Sequence, residues 1–322
     1  MSALVSVVVP VCNVEKYLAE CLASLRKQTL KDIEFICVDD GSKDGSLRIM
    51  RRFQALDPRF KIITGPNAGY GAACNKGIDA ASGKYIGILE SDDFADPDFY
   101  LDLTNIAEAH RCDLVKSEFY TFGDRSKQYA LSHNFDDKLY EVVFTPRGVL
   151  AKYNLFESQT CVWSAIYSRK MLNSGGIRFL ETPGASYQDL AFSVKVLMRS
   201  ERAYFTRRAY VYYRQTESQS IKSKGKVWCS MQEYAEIESK FPMTPELFAS
   251  KYHNYMWTYN RIGIEHRYPY LKMFSQQFRR HIIEHDGIMR PHLFHPWEPA
   301  HLDMITRHPL SYHDLRLQEI YE

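Results

Sequence analysis

Apolar and polar positions come in blocks over the first hundred residues. Val5 to Val9 is a β-branched apolar run ended by Pro10, as in a strand buried on both faces of a parallel sheet. Glu15 to Lys27 follows with Tyr17, Leu18, Cys21, Leu22 and Leu25 at helical spacing. A second run, Ile33 to Val38, stops at Asp39-Asp40-Gly41-Ser42, and Ser46 to Leu56 reads as helix. A third, Lys61 to Thr64, breaks at Gly65-Pro66-Asn67-Ala68-Gly69 before a helical stretch from Ala72 to Ala81. The fourth, Lys84 to Leu89, runs into Glu90-Ser91-Asp92-Asp93. Four strand-helix units in so short a span predict an α/β fold with a doubly wound, mostly parallel sheet. Ligands of such sheets sit outside the carboxyl ends of the strands. The polar clusters Pro10 to Asn13, Asp39 to Gly45 and Glu90 to Asp93 all fall at that edge.

Beyond residue 110 the pattern loosens. Short strands are expected at Leu114 to Phe119, Val162 to Tyr167 and Ala203 to Tyr213, and a helix at Gln188 to Met198. After Lys226 the chain reads as helical and is rich in Tyr and His. The expected division is residues 1–225 for the sheet domain and 226–322 for a helical extension packed on it, with no long linker or internal repeat. Across 322 residues, 45% hydrophobic and 25% charged content is ordinary globular usage and excludes a disordered or collagen-like chain. A net charge of +2 is too balanced for a nucleic-acid groove, so no nucleic-acid partner is expected. The longest strongly apolar stretch, Ser2 to Val14, contains Pro10 and Asn13 and falls short of the roughly 20 residues that span a bilayer. It also lacks signal-peptide flanks, so a cytoplasmic location is expected. The 7 cysteines form no C-x-x-C pair and are expected to be reduced and mostly buried.

Glu90-Ser91-Asp92-Asp93 is the sharpest local signal. Adjacent carboxylates with a third nearby repel unless a cation joins them, and Mg²⁺ or Mn²⁺, holding phosphate oxygens at the same time, suits that set. A solvated turn that caps the next helix is the competing reading. Asp40 to Arg51 fails as a calcium loop because Arg51 stands where a bidentate Glu is needed. A carboxylate such as Asp40 at a strand end is instead suited to accept an N–H from a nucleobase edge. Gly69-Tyr70-Gly71 only partly matches a dinucleotide fingerprint and follows the wrong strand, though its glycines suit close approach to a phosphate or sugar. His281-Ile282-Ile283-Glu284-His285 matches the inverted zinc-protease motif letter for letter. It lies in an ordinary amphipathic helix with only Glu298, Glu319 and Glu322 after it, so zinc hydrolysis is set aside.

As an ordered set, Val5 to Asn13, Glu15 to Leu18, Gln28-Thr29, Val38 to Ser42, Asp44-Gly45, Asn67 to Asn75 and Glu90 to Asp93 resemble a family 2 glycosyltransferase of the GT-A fold. The likeness is tight over residues 3–105 and continues to about residue 228. It implies that Pro10, Val11, Cys12, Glu15 and Asp40 hold the base and ribose of a nucleotide-sugar donor, with Asn67 and Gly69 in the next loop. It places Asp92 near the ribose and Asp93 on the metal, Mn²⁺ or Mg²⁺. Cys12 and Cys74 stand where the family often has Tyr and Arg, which would leave diphosphate contact to Lys76, or to Arg214 and Ser220 in a segment like the family's late phosphate-contacting one. Asp189, in Tyr187-Gln188-Asp189, resembles the family's general base, with Gln188 replacing the usual Glu. Trp163 matches an acceptor-side position, where an aromatic face stacks on a sugar or simply packs in the core.

By this resemblance the protein is an inverting transferase that moves a sugar from a nucleotide diphosphate, a UDP-sugar foremost, to a glycan or lipid-linked glycan hydroxyl in bacterial surface-polysaccharide synthesis. The aromatic C-terminal helices would touch the acceptor, a second copy in a homodimer or, peripherally, a membrane. Two alternatives stay open at this stage: a sugar-phosphate nucleotidyltransferase, although Pro10 to Asn13 has neither Gly nor a basic residue, and a non-catalytic sugar-binding module.

Overall fold

The computed structural model describes residues 3–123, 126–158, 161–215 and 227–321. The chain divides into two compact units, residues 1–218 and 219–322. Unit 1 opens with β1 (Val5–Val11), α1 (Glu15–Arg26), β2 (Ile33–Asp40), α2 (Ser46–Leu56), β3 (Phe60–Gly65), α3 (Tyr70–Ala80) and β4 (Tyr85–Ile88). Next come β5 (Phe94–Ala95), α4 (Phe99–His110), β6 (Leu114–Gly123), β7 (Ser126–Leu131), β8 (Val143–Phe144) and α5 (Pro146–Tyr153). It ends with β9 (Ala165–Ser168), α6 (Arg169–Ser174), α7 (Gln188–Arg199) and β10 (Ala203–Gln215).

One 10-stranded sheet results, in the order β3-β2-β1-β4-β9-β6-β10-β5, with β7 added to β6 and β8 to β10. β1 pairs in parallel with β2 and β4, β2 with β3, and β6 with β10. β9 joins β4 to β6 by antiparallel pairing. The apolar runs are buried as expected: every residue of β1 and β2 is inside. The register runs from Val5↔Ile33 to Val11↔Asp39 between β1 and β2, but only from Val5↔Tyr85 to Val8↔Ile88 between β1 and β4. Pro10 therefore lies beyond the ladder on the β4 side, where its missing N–H costs no pairing.

At the opposite end of these strands, Glu34 is 5% exposed and gathers donors from three places. Ser6 Oγ–H and Lys61 bond to it from β1 and β3, and the Ser82 N–H and hydroxyl donate at 2.8 Å. Its carboxyl is held at about 2: burial pushes up, and the bonds from Lys61, Ser6 and Ser82 outweigh it.

Unit 2 holds α8 (Cys229–Glu238), α9 (Pro245–Arg261), α10 (Ile264–Glu284), α11 (Glu298–Arg307) and α12 (Pro309–Tyr321). Phe248, Tyr252, Tyr255 and Tyr259 form one stripe of α9, and Tyr270, Phe274 and Phe278 one of α10; all are at most 1% exposed. The aromatic residues Tyr252, Tyr255 and Tyr259 are thus core. Among the described residues no helix is long and apolar enough to cross a membrane.

Candidate active site

Chain connections run outward from β1 to β2 to β3 and then return to β4 on the other side of β1. That reversal opens a crevice at the carboxyl ends of β1, β2 and β4. Glu90, Ser91, Asp92 and Asp93 follow β4 there. Glu90 is half-buried and accepts the Tyr70 hydroxyl at 2.6 Å. Its carboxyl is pushed up to about 8, mainly by burial and then by the charges of Asp92 and Asp189, against the Tyr70 bond. Glu90 therefore lies within electrostatic reach of both aspartates, which are more than ninety residues apart in sequence. Burial also raises the half-buried Asp92, and Arg214 opposes it.

Asp189 reaches this acid cluster because α3 is stapled to the segment before α7. Asn75 exchanges two bonds with the Phe179 backbone, donating at 3.0 Å and accepting at 2.9 Å, and donates to Glu181 at 2.9 Å. The Tyr70 N–H donates to the Gly184 carbonyl at 2.9 Å. Gly69 sits at φ +97°, and a Cβ there would lie 2.4 Å from the Thr182 carbonyl oxygen. At Gly71 a Cβ would lie 2.2 Å from that of Leu180. Only glycine permits this approach. Asp189, half-buried, then stands in the first turn of α7, whose N-cap Tyr187 is left-handed at φ 66°.

Several expected ligand residues serve the scaffold. Asp40, 4% exposed, accepts the Ala68 N–H at 2.8 Å on one oxygen and the Gly69 N–H at 2.9 Å on the other, so its carboxylate shapes the loop into α3. Glu15 accepts the Gly45 N–H at 2.6 Å and pins the Asp44 loop to α1. Asn67 bridges the Cys12 Sγ and the Asp40 carbonyl. Arg214 is sandwiched between the rings of Tyr17 and Phe122, each 4.6 Å away, and its guanidinium bonds Glu20 and the Asp92 carbonyl. Trp163, 7% exposed, stacks on Tyr213 at 5.0 Å between centroids and meets Phe119 in a T-shaped contact, so it is packed largely within the core. Gln188, 1% exposed, turns back to Thr182 and to the Ser186 N–H.

Pro10 and Val11 are buried in β1, while Cys12 is exposed beside them. The other cysteines, Cys74 included, are buried. Lys76 is half-buried, with its ammonium beside Gly65 at the end of β3. Ser220 lies outside the described residues. Glu90 and Tyr70 are the residues that motif reading left without a role. The signal for Glu90 was its place as the first acid of the cluster, two residues before Asp92.

Asp93, the expected metal ligand, is 1% exposed. Its Oδ1 accepts the Arg214 N–H at 2.7 Å, and its Oδ2 is buried without a hydrogen-bond partner. Burial, and after it Asp92, raise its carboxyl well above the usual range. A divalent cation fits this donor set, because it relieves the repulsion among three clustered acids and satisfies an orphaned oxygen. Asp92 is the more exposed of the adjacent pair.

The sheet order, the switch point and the acidic crevice are those of a GT-A fold. A family model described as Glycosyl transferase family 2 matches residues 6–175, and the chain belongs to that family. It is 29% identical over 242 residues to the glycosyltransferase GlyA of Streptococcus pneumoniae, covering 73% of this chain and 33% of GlyA. It is 31% identical over 217 residues to the uncharacterized glycosyltransferase EpsJ of Bacillus subtilis, covering 67% of this chain and 62% of EpsJ. The matches thus span less than two thirds of either relative. In three dimensions it resembles S. aureus TarS 1-349, crystallised with UDP-GlcNAc, at a TM-score of 0.70 and 20% identity over 99% of this chain and 92% of that one.

Proposed function

We propose that this protein is an inverting glycosyltransferase that moves a sugar from a nucleotide diphosphate, a UDP-sugar, to a hydroxyl of a glycan or lipid-linked glycan. The observation that carries the reading is that the Glu90 carboxyl, at the switch-point crevice, feels the charges of both Asp92 and Asp189. The UDP-GlcNAc bound by the similarly folded TarS supports the donor class.

Asp93, through its unpartnered Oδ2, with Asp92 beside it, would hold Mn²⁺ or Mg²⁺, which would supply positive charge to the departing diphosphate. Cys12, exposed at the end of β1, and the backbone edge of Pro10 and Val11 border the nucleotide, with Lys76 as the nearby basic side chain. Asp189 accepts the proton of the acceptor hydroxyl while that oxygen attacks the anomeric carbon from the face opposite the leaving diphosphate, which inverts the centre. A positioned base of this kind contributes about 10² to 10⁴ in rate.

Thermal stabilisation by UDP-sugars in the presence of Mn²⁺ tests the donor and the metal together, because a ligand bound by the native state alone raises its melting temperature. Asp92→Asn is expected to abolish the metal-dependent part of the shift. A full shift in that variant contradicts the metal seat, and no shift with any nucleotide-sugar contradicts the donor class.

A further inference from the structure

We propose that His281, Glu284 and His285 in the helical unit form a zinc-binding site. The three residues sit at i, i+3 and i+4 where α10 ends, the spacing that places side chains on one helix face. One ligand atom from each lies within 4.8 Å of the others.

The second observation is at His281. The residue is 5% exposed, and its Nδ1 is buried with no hydrogen-bond partner. Its other ring nitrogen is engaged: Nε2 lies 3.4 Å from Glu238 Oε2, at the end of α8, and 3.2 Å from the Lys251 ammonium on α9. Lys251 in turn pairs with Glu238. When Nε2 carries the proton and donates it to Glu238, the lone pair falls on Nδ1. A carboxylate behind an imidazole is the arrangement that orients histidine ligands and raises their basicity at metal centres. In that tautomer the unpartnered Nδ1 is the atom left to ligate.

The other two ligands can move. Glu284 is exposed and accepts from Arg280 at 2.9 and 3.1 Å, an exposed pair of the kind that contributes little and yields to an ion. His285, the half-buried C-cap, stacks on His281 at 6.2 Å between centroids. Tetrahedral zinc with ligands at about 2.0 to 2.1 Å sets its donors roughly 3.3 Å apart, so the cluster closes by about 1.5 Å, within side-chain rotation. Two imidazoles and one carboxylate favour Zn²⁺ and its neighbours over Mg²⁺ or Ca²⁺. Three protein ligands leave a fourth position for water. The bound ion would fasten the end of α10, through His281, to the Glu238–Lys251 pair on α8 and α9.

The test is Zn²⁺ titration by calorimetry, with Co²⁺ as a spectroscopic probe, on the full chain without a polyhistidine tag. The unsubstituted protein is expected to take up one zinc that survives Asp92→Asn, with the visible absorption of tetrahedral cobalt. His285→Ala, at a partly exposed helix end, should weaken that equivalent at least 100-fold, and Glu284→Gln about 10-fold, with the Mn²⁺-dependent nucleotide-sugar response unchanged in both. Unaltered zinc affinity in His285→Ala, or no zinc equivalent in the unsubstituted protein, overturns the proposal.

Discussion

Replacing Glu34 by Gln removes a charge that three neighbouring segments were built to receive. The carboxyl falls from 4.5 to about 2 on folding, which corresponds to about 3 kcal/mol of stability at neutral pH as an upper limit. Lys61, one of its partners, has a side chain 55% exposed, so solvent screens that share and about 2 kcal/mol is the working figure. Because the folded pKa is the lower one, the contribution is complete above the unfolded value and disappears as pH falls from roughly 5 toward 2. Near pH 4 most unfolded chains carry the proton and folded chains do not, so the term changes by about 1 kcal/mol per pH unit. The assay is urea denaturation of the unsubstituted protein and of Glu34→Gln between pH 7 and pH 3.5, followed through tertiary-structure fluorescence. Subtracting the two curves cancels the other acids. The unsubstituted protein should lead by about 2 kcal/mol at pH 7, with the lead shrinking on acidification. A difference that stays flat, or grows as pH falls, refutes the reasoning.

Two substitutions separate scaffold from site. Gly71→Ala puts a methyl 2.2 Å from the Leu180 carbonyl oxygen; it should cost about 1 to 3 kcal/mol by overpacking and depress sugar transfer further by shifting the segment that leads to Asp189, both read by thermal melting and product formation. Trp163→Phe should cost stability, about 1 to 3 kcal/mol, yet leave the acceptor KM unchanged, because the indole is 7% exposed and packed on Tyr213 and Phe119; a large rise in acceptor KM alone would point to a sugar-platform role.

The frame was legible because burial on both faces of a parallel strand demands unbroken apolar runs, and β1, β2 and β4 carry them. The two-residue strands β5 and β8 are too short to leave a period, and β5 follows directly on the acid cluster. At the site, the acids after β4 and Asp189 in the first turn of α7 are legible from the sequence because each follows an apolar run or opens an amphipathic helix. The individual roles were harder. That Ala68 and Gly69 present their amides to Asp40, and that Tyr17 and Phe122 close over Arg214, leaves no trace in the local sequence. A polar side chain's partner is decided by contacts across 28 to 194 residues of sequence, as with Asp40 to Ala68 and Arg214 to Glu20. Local patterns carry no record of such distances.

Single-turnover transfer by Asp189→Asn, measured beside the thermal shift of the same protein with UDP-sugar and Mn²⁺, tests the central claim most directly. The account predicts donor binding within a few fold of the unsubstituted protein and transfer reduced by about 10² to 10⁴. Transfer at the unsubstituted rate would remove Asp189 from the chemistry and leave the acidic crevice without its base.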